Sequence, residues 1–148
     1  MDEYFMQQAI AEAKKAGAEE VPIGCVIVKD GQVIARASNE KESRNLATAH
    51  AEILAIERAS AALNNWYLQG CTLYVTMEPC VMCAGAIVNA RVDKLVYGAS
   101  DPRFGACGTL FNLAADGRLN HRAEVKGGVL ADECGTLLTE FFKKKRQL

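Results

Sequence analysis

A pair of cysteines in the middle of the chain carries the first sign of chemistry. Cys80 and Cys83 are two residues apart, a spacing that lets both sulfurs bind one tetrahedral zinc ion. Redox dithiols have the same spacing, so the pair alone is ambiguous. The sequence has no second Cys-x-x-Cys pair to complete a structural site with four protein ligands. The pair therefore indicates a function only together with a partner elsewhere in the chain.

That partner is the segment His50-Ala51-Glu52. It opens one predicted helix and Pro79-Cys80 opens another, and helix N-termini favour thiolate and hydroxide. His50, Cys80 and Cys83 supply three ligands and leave one position for water, the arrangement of a catalytic zinc. Glu52 can take a proton from that water and return it to a leaving amine. The combination of H-x-E with P-C-x-x-C is the signature of zinc deaminases.

The hydrophobic pattern predicts the elements that hold these residues in place. Helices are expected over 2–16, 49–63, 81–90 and 132–146, with Thr48 and Asp132 as caps of the second and the last. Strands are expected over 22–28, 33–36, 71–77, 94–97 and 123–126. Asp30-Gly31 predicts a hairpin turn between the first two strands, and the last three strands should lie side by side. This order predicts an α/β fold with a mixed sheet and helices on both faces.

Length and composition predict a single domain spanning residues 1–148. No apolar run is long enough to cross a membrane, and the N-terminus lacks a secretory signal, so a cytoplasmic location is expected. Cys25 and Cys71 lie in apolar runs and are interpreted as buried small residues. The net charge of −1 gives no overall attraction to nucleic acid. The basic cluster Lys143–Arg146 is either a local RNA contact or a solvated helix end.

Several segments beyond the metal motif resemble the bacterial tRNA-specific adenosine deaminases, and the similarity extends from Pro22 to the C-terminus. They are His50-Ala-Glu-Ile53, the run from Leu73 to Ile87, Asp101-Pro102, and Leu130 to Cys134 followed by Phe141-Phe142 and basic residues. The metal motif alone is shared with cytidine, cytosine and guanine deaminases. The run Glu-Pro-Cys-Val-Met-Cys-Ala-Gly-Ala-Ile and the tail make the tRNA branch more specific.

The resemblance implies hydrolysis of the wobble adenosine of a tRNA anticodon stem-loop to inosine, with one Zn²⁺ per chain. It also implies a homodimer and a cytidine-deaminase-like three-layer α/β/α fold with a five-stranded sheet. Asn39 matches the position that contacts the flipped adenosine, and Asp101 matches one that contacts the neighbouring sugar. Taken from the residues alone, Asn39 is a turn residue and Asp101 caps a helix or turn.

Two features depart from the family pattern or have no assigned role. Leu46-Ala47 stands where the family usually has Asp-Pro, in a loop expected to border the substrate. Phe104 lies in an irregular segment, where it either stacks on a base or plugs the core.

Two alternative functions stay open at this point. A deaminase of a free base or nucleotide, such as guanine or cytosine, would use the same zinc ligands and Glu52. A non-catalytic zinc module that binds RNA or protein would fill the fourth position, with Cys107 or His121 as the candidates. Glu52 argues against such a module, since a structural zinc has no use for a neighbouring carboxylate. His121 is interpreted as a hydrogen-bonded residue rather than a ligand.

Overall fold

A five-stranded mixed sheet forms the centre of the computed structural model, which describes residues 1–147. The strands are β1 (Gly24–Lys29), β2 (Gln32–Ser38), β3 (Cys71–Met77), β4 (Lys94–Ala99) and β5 (Glu124–Lys126), in the order β2-β1-β3-β4-β5. The helices are α1 (Asp2–Ala13), α2 (Ala51–Leu63), α3 (Val81–Asn89) and α4 (Ala131–Arg146). β1 is antiparallel to β2 and β3, whereas β3, β4 and β5 are parallel. The predicted α/β fold and the adjacent last three strands are confirmed.

Helices cover both faces of the sheet and give the expected three layers. Alternate residues of a strand point to opposite faces, so β1 contributes to two separate cores. Cys25 and Ile27 pack with α2 and α3, while Val26 and Val28 pack with α1 and α4. Cys25 and Cys71 are both fully buried, which confirms their interpretation as small core residues.

The ends of the elements differ most from the sequence prediction. α1 ends at Ala13 rather than residue 16. Thr48 as the cap of α2 was wrong, because His50 is the N-cap and the Ala51 N–H is bound by a distant side chain, Asn39. Asp132 as the cap of α4 was also wrong, because Leu130, which has a left-handed backbone conformation, is the N-cap two residues earlier. Caps supplied by distant contacts or unusual backbone conformation leave no local sequence signal.

The hairpin turn has the predicted chemistry. Asp30 and Gly31 both have positive φ, 51° and 76°, which is the type I′ geometry that matches strand twist. A short 3₁₀ helix, Leu113–Ala115, was not predicted. Within residues 1–147, none of the helices has the length and apolar character that crossing a bilayer requires.

The two outer strands end the sheet in different ways. On β2, the main-chain carbonyl of Arg36 accepts a hydrogen bond of 2.7 Å from Arg58 of α2, and the Arg36 side chain donates to Gln8 of α1. β5 has only three residues and pairs with β4 through residues 124–126.

Candidate metal centre and substrate pocket

The direction of the strands gathers the candidate residues at one end of the sheet. β2, β3 and β4 run the same way, because β1 is antiparallel to both of its neighbours. Their carboxyl ends therefore coincide, and Asn39, Glu78 and Asp101 follow them directly or within two residues. α2 and α3 begin at the same end, with His50 and Cys80 as their N-caps.

Three of the predicted site residues form a compact set of metal donors. His50 Nδ1 lies 3.5 Å from Cys83 Sγ and 3.8 Å from Cys80 Sγ, and all three donor atoms are within 4.8 Å of one another. Nitrogen and sulfur ligands of one tetrahedral zinc stand about 3.6 Å apart when the bonds have their usual lengths. The donor set and its spacing therefore fit a zinc ion. In residues 1–147 no other His, Cys, Asp or Glu cluster of this kind is found.

The two sulfurs differ in their affinity for protons. The pKa of Cys80 falls to about 4, because the Cys83 thiol and His50 hydrogen-bond to its thiolate and outweigh burial. The pKa of Cys83 is raised, because this thiol is the donor to Cys80 and is itself buried. Of the two thiols, Cys80 is therefore the one that ionises more readily.

Glu52 lies on the second residue of α2 and is not one of the three donors. Its side chain is only 4% exposed, and burial raises the pKa of the carboxyl to about 7 even though nearby His50 opposes the shift. A carboxyl group whose pKa lies near neutrality is suited to both accepting and returning a proton.

A pocket of about 380 Å³ opens in front of these groups. It is lined by Val21, Ile23, Asn39, Lys41, His50, Glu52, Met77, Glu78, Cys80, Asp101, Phe104 and Phe142. Phe104 is 66% exposed at the mouth of the pocket, so its interpretation as a core plug was wrong. Among the described residues, Leu46 and Ala47 do not line the pocket; they lie farther along the loop that contributes Lys41.

Asn39 and Asp101 both line this pocket, and each also has a local structural contact. Asn39 Oδ1 accepts the Ala51 N–H at 3.3 Å, which ties the end of β2 to the start of α2. Asp101 Oδ1 accepts the N–H groups of Arg103 and Phe104, so it caps a turn, as its residue type alone suggested. Both side chains remain at the pocket surface.

Comparison with known proteins places this arrangement in a family. The model of the MafB19-like deaminases matches residues 1–146. A tRNA-specific adenosine deaminase of Bacillus subtilis is 54% identical over 147 residues, which cover 99% of this chain and 91% of the relative. The chain belongs to the tRNA-specific adenosine deaminase family. The expected family resemblance is thereby confirmed over almost the whole sequence.

Solved structures agree with this family assignment. One from a study of A-to-I editing by tRNA:A34 deaminases at the wobble position is 45% identical, with a TM-score of 0.87. It covers 91% of this chain and 99% of its own. A guanine deaminase from Nitrosomonas europaea is 28% identical with a TM-score of 0.76, and covers 95% of this chain and 81% of its own. The cytidine-deaminase-like fold is thus shared with deaminases of free bases, so the fold alone does not define the substrate.

Two charged pocket residues of this deaminase were not singled out from the sequence. Lys41 lies in the loop after β2 and brings a positive charge to the pocket. Glu78 follows β3 and lies beside the rim loop, defined here as residues 101–109. A carboxylate placed between a buried strand and Pro79 was the available sequence signal for Glu78. Lys41 had none, because a lysine in a polar loop is ordinary.

The residues proposed as ligands of a structural zinc have other partners. His121 Nε2 lies 2.7 Å from the main-chain oxygen of Val92, in agreement with the prediction of a hydrogen-bonded histidine. The Cys107 N–H donates to Glu78, and its buried thiol lies outside the three-donor set. The geometry therefore gives three donors and an adjoining pocket, as in catalytic zinc sites.

Proposed function

We propose that this chain hydrolyses the wobble adenosine of a tRNA anticodon stem-loop to inosine, and that residues 1–148 act as one deaminase domain. The observation that carries the proposal is the three-donor cluster with buried Glu52 beside it, at the base of a pocket. Membership of the tRNA-specific adenosine deaminase family supports the choice of substrate. In this reaction water supplies an oxygen to C6 of the purine and the 6-amino group leaves as ammonia.

His50, Cys80 and Cys83 are the proposed ligands of one zinc ion per chain. Zinc held by three protein ligands lowers the pKa of water toward neutrality and so provides the nucleophile. The chain contributes a fixed donor geometry, because His50 and Cys80 begin two helices and Cys83 is buried in the first turn of α3. The helix N-termini add positive potential that favours the thiolate form of both cysteines.

Glu52 is the proposed proton carrier. Its carboxylate takes a proton from the attacking water and delivers it to the departing amino group, so the side chain is regenerated after each turnover. Burial excludes bulk water and holds the pKa near the value that both steps need. Asn39 presents its Nδ2 group to the base, because Ala51 already engages Oδ1. An amide donor at this position can hydrogen-bond to a ring nitrogen of a flipped purine.

A second groove suggests how a polynucleotide reaches the pocket. This groove, of about 650 Å³, shares Met77, Asp101, Phe104 and Phe142 with the pocket and continues to Arg103, Lys145 and Arg146. Exposed aromatic rings offer stacking surfaces for unpaired bases, and the cations can contact phosphates. The path from a base-sized pocket to basic side chains favours RNA over a free base.

The proposed reaction is tested by incubating purified protein with an anticodon stem-loop and sequencing the RNA for adenosine-to-inosine change. We expect conversion at the wobble adenosine and no release of ammonia from free adenosine, guanine or cytosine. Turnover of a free base together with an unchanged stem-loop would instead assign the chain to the deaminases of small molecules.

Removing the two positive charges at the C-terminal end of α4, where the helix lines the second groove, is expected to weaken RNA binding. The double variant Lys145→Gln/Arg146→Gln removes two candidate phosphate contacts, so the slope of log affinity against log salt should fall by about 1.4 for single-stranded RNA. Turnover of saturating stem-loop should change little. Lys14→Gln/Lys29→Gln is the matched control, because neither lysine lines this groove. An unchanged slope in the first variant would make the basic cluster a solvated helix end.

A homodimer is the proposed assembly, with α3 at its interface. The helix contains no charged residue, and Val81 at its start is 53% exposed. The 3₁₀ helix Leu113–Ala115 packs on α3, and just before it Leu110 and Phe111 expose further apolar surface. Exposed apolar side chains around an uncharged helix are typical of a protein interface.

Light scattering should give a mass twice that of the 16.0 kDa chain at micromolar concentration. Val81→Glu/Phe111→Glu should reduce the mass to that of one chain, because carboxylates would be buried without partners. Tyr4→Glu places the same charge on an exposed aromatic of α1, on the opposite face of the sheet, and should leave the mass unchanged. A wild-type protein that scatters only as a monomer would contradict the proposal.

A further inference from the structure

A buried carboxylate next to the metal centre is fully occupied by the rim loop. Glu78 is only 3% exposed, yet it forms no ion pair with a basic side chain among the described residues. Its Oε1 accepts the Asp101 N–H at 3.1 Å and the Thr109 hydroxyl. Its Oε2 accepts the N–H groups of Cys107 and Thr109 at 3.1 and 3.0 Å. Four donors from the two ends of one loop thus converge on a single side chain.

The same hydrogen bonds define which side chain fits at this position. A carboxylate accepts from all of these groups, whereas a neutral amide would turn donor hydrogens toward some of them. The loop and the charge therefore stabilise each other.

The loop carries pocket residues but has little regular structure of its own. Asp101 and Phe104 line the pocket, and between them and Thr109 the chain forms only turns and an isolated bridge from Cys107 to Asn112. Main-chain hydrogen bonds join Gly105 to the carbonyl of Asp101, Leu113 to that of Ala106, and Ala106 to that of Pro79. Residues 78 and 79 thus supply the contacts that tie the loop to the end of β3.

Gly105 shows how closely the loop encloses the carboxylate. A Cβ atom at this position would lie 2.5 Å from the Glu78 carboxyl carbon and 2.5 Å from the main-chain oxygen of Asp101. Real Cβ atoms do not approach other atoms so closely, so a methyl group here would push the loop away from its anchor.

We infer that Glu78 is a positioning residue that sets substrate affinity by fixing the rim loop, with Asp101 and Phe104, over the pocket. It acts through the loop and not on the reacting atoms. The inference rests on the proposed RNA substrate for its kinetic consequence and on the hydrogen bonds alone for its structural one.

The test compares Glu78→Gln with the wild type in kinetics and in amide hydrogen exchange. KM for the stem-loop should rise about tenfold, the usual effect of losing one hydrogen bond to a charged group, while kcat changes less than about threefold. Zinc content should stay the same. Exchange of the Asp101, Cys107 and Thr109 amides should accelerate about tenfold or more, while that of the β3 amides is unchanged.

One further variant keeps the test decisive if Glu78→Gln does not fold, and two control variants accompany the pair. Gly105→Ala displaces the loop from the other side and should give the same rise in KM and the same faster exchange. Gly135→Ala is its control, because a Cβ there meets no atom within 4 Å. Glu12→Gln is the control for the amide substitution, since Glu12 is a buried carboxylate on α1 that pairs with Lys15.

Three outcomes would overturn the inference. Loss of zinc in Glu78→Gln would mean that the residue supports Cys80 instead of the loop. Unchanged exchange of the loop amides would mean that the loop holds itself in place. A large fall in kcat at constant KM would give Glu78 a chemical role. If wild-type protein converts no stem-loop, the proposed function fails, whereas the exchange measurements still decide whether Glu78 anchors the loop.

Discussion

Glu52→Gln is expected to lower turnover of the stem-loop by about 10²- to 10⁴-fold, the usual range for losing a general acid–base group. Glutamine keeps the size of the side chain but can neither accept nor return a proton. Zinc content should not change, because His50, Cys80 and Cys83 are intact. Stem-loop binding should also persist, since contacts with the base and the phosphates do not need that proton.

The measurements are single-turnover rates, zinc content by elemental analysis and stem-loop affinity on the same preparation. Glu57→Gln on the solvent side of α2 is the matched control and should leave all three unchanged. Loss of zinc in Glu52→Gln would make Glu52 a ligand. Full activity would mean that another residue moves the proton, and Glu52 would then only stabilise the start of α2.

His50→Ala is expected to abolish stable zinc binding and activity together. Wild-type protein should contain one zinc per chain, and the variant close to none, because two thiolates alone leave the tetrahedral site half empty. Zinc binds only the folded site, so the variant should also lose the stability that the metal adds. With free zinc at 100 times its Kd, the stability that is lost is about 2.7 kcal/mol. For a chain of this length, that lowers Tm by about 8 °C.

The second histidine of the chain provides the control for this experiment. His121→Ala removes a side chain that hydrogen-bonds to Val92 and should keep its zinc. Chelated wild-type protein and His50→Ala should melt at similar temperatures. Loss of zinc from His121→Ala, or retention by His50→Ala, would indicate a different ligand set and would favour a four-ligand structural site.

Residue types and spacing were sufficient to predict the adjacency of the last three strands and the convergence of His50, Cys80 and Cys83. The predictions of β3, the Asp30-Gly31 turn and the helix from Val81 rest on local signals: β-branched residues, a turn pair and a proline. Predictions from such local signals are correct here because the local preferences agree with the tertiary contacts of the folded chain. The sequence also predicted His50 and Cys80 at the starts of two helices, and from this one shared site.

Other features depend on contacts between distant segments and had no local signal. The N-cap of α2 shifted from Thr48 to His50 because Asn39, from another part of the chain, binds the first helical N–H. His50 faces both sulfurs with Nδ1, which residue spacing does not specify. The four donors on Glu78 could not be foreseen, because an irregular loop has no periodicity from which to place its amides.

The edges of the central sheet limit how copies of this chain can associate. An outer strand with free amides and carbonyls invites a strand from another molecule, and proteins commonly block such strands with charge, brevity or a covering helix. Two arginines block β2. Arg58 donates a hydrogen bond to the main-chain carbonyl of Arg36 on this strand, and the Arg36 side chain adds a positive charge. β5 is too short to template a neighbour and carries Glu124 and Lys126. Growth of the sheet from one molecule to the next, and with it the formation of fibres, is therefore disfavoured.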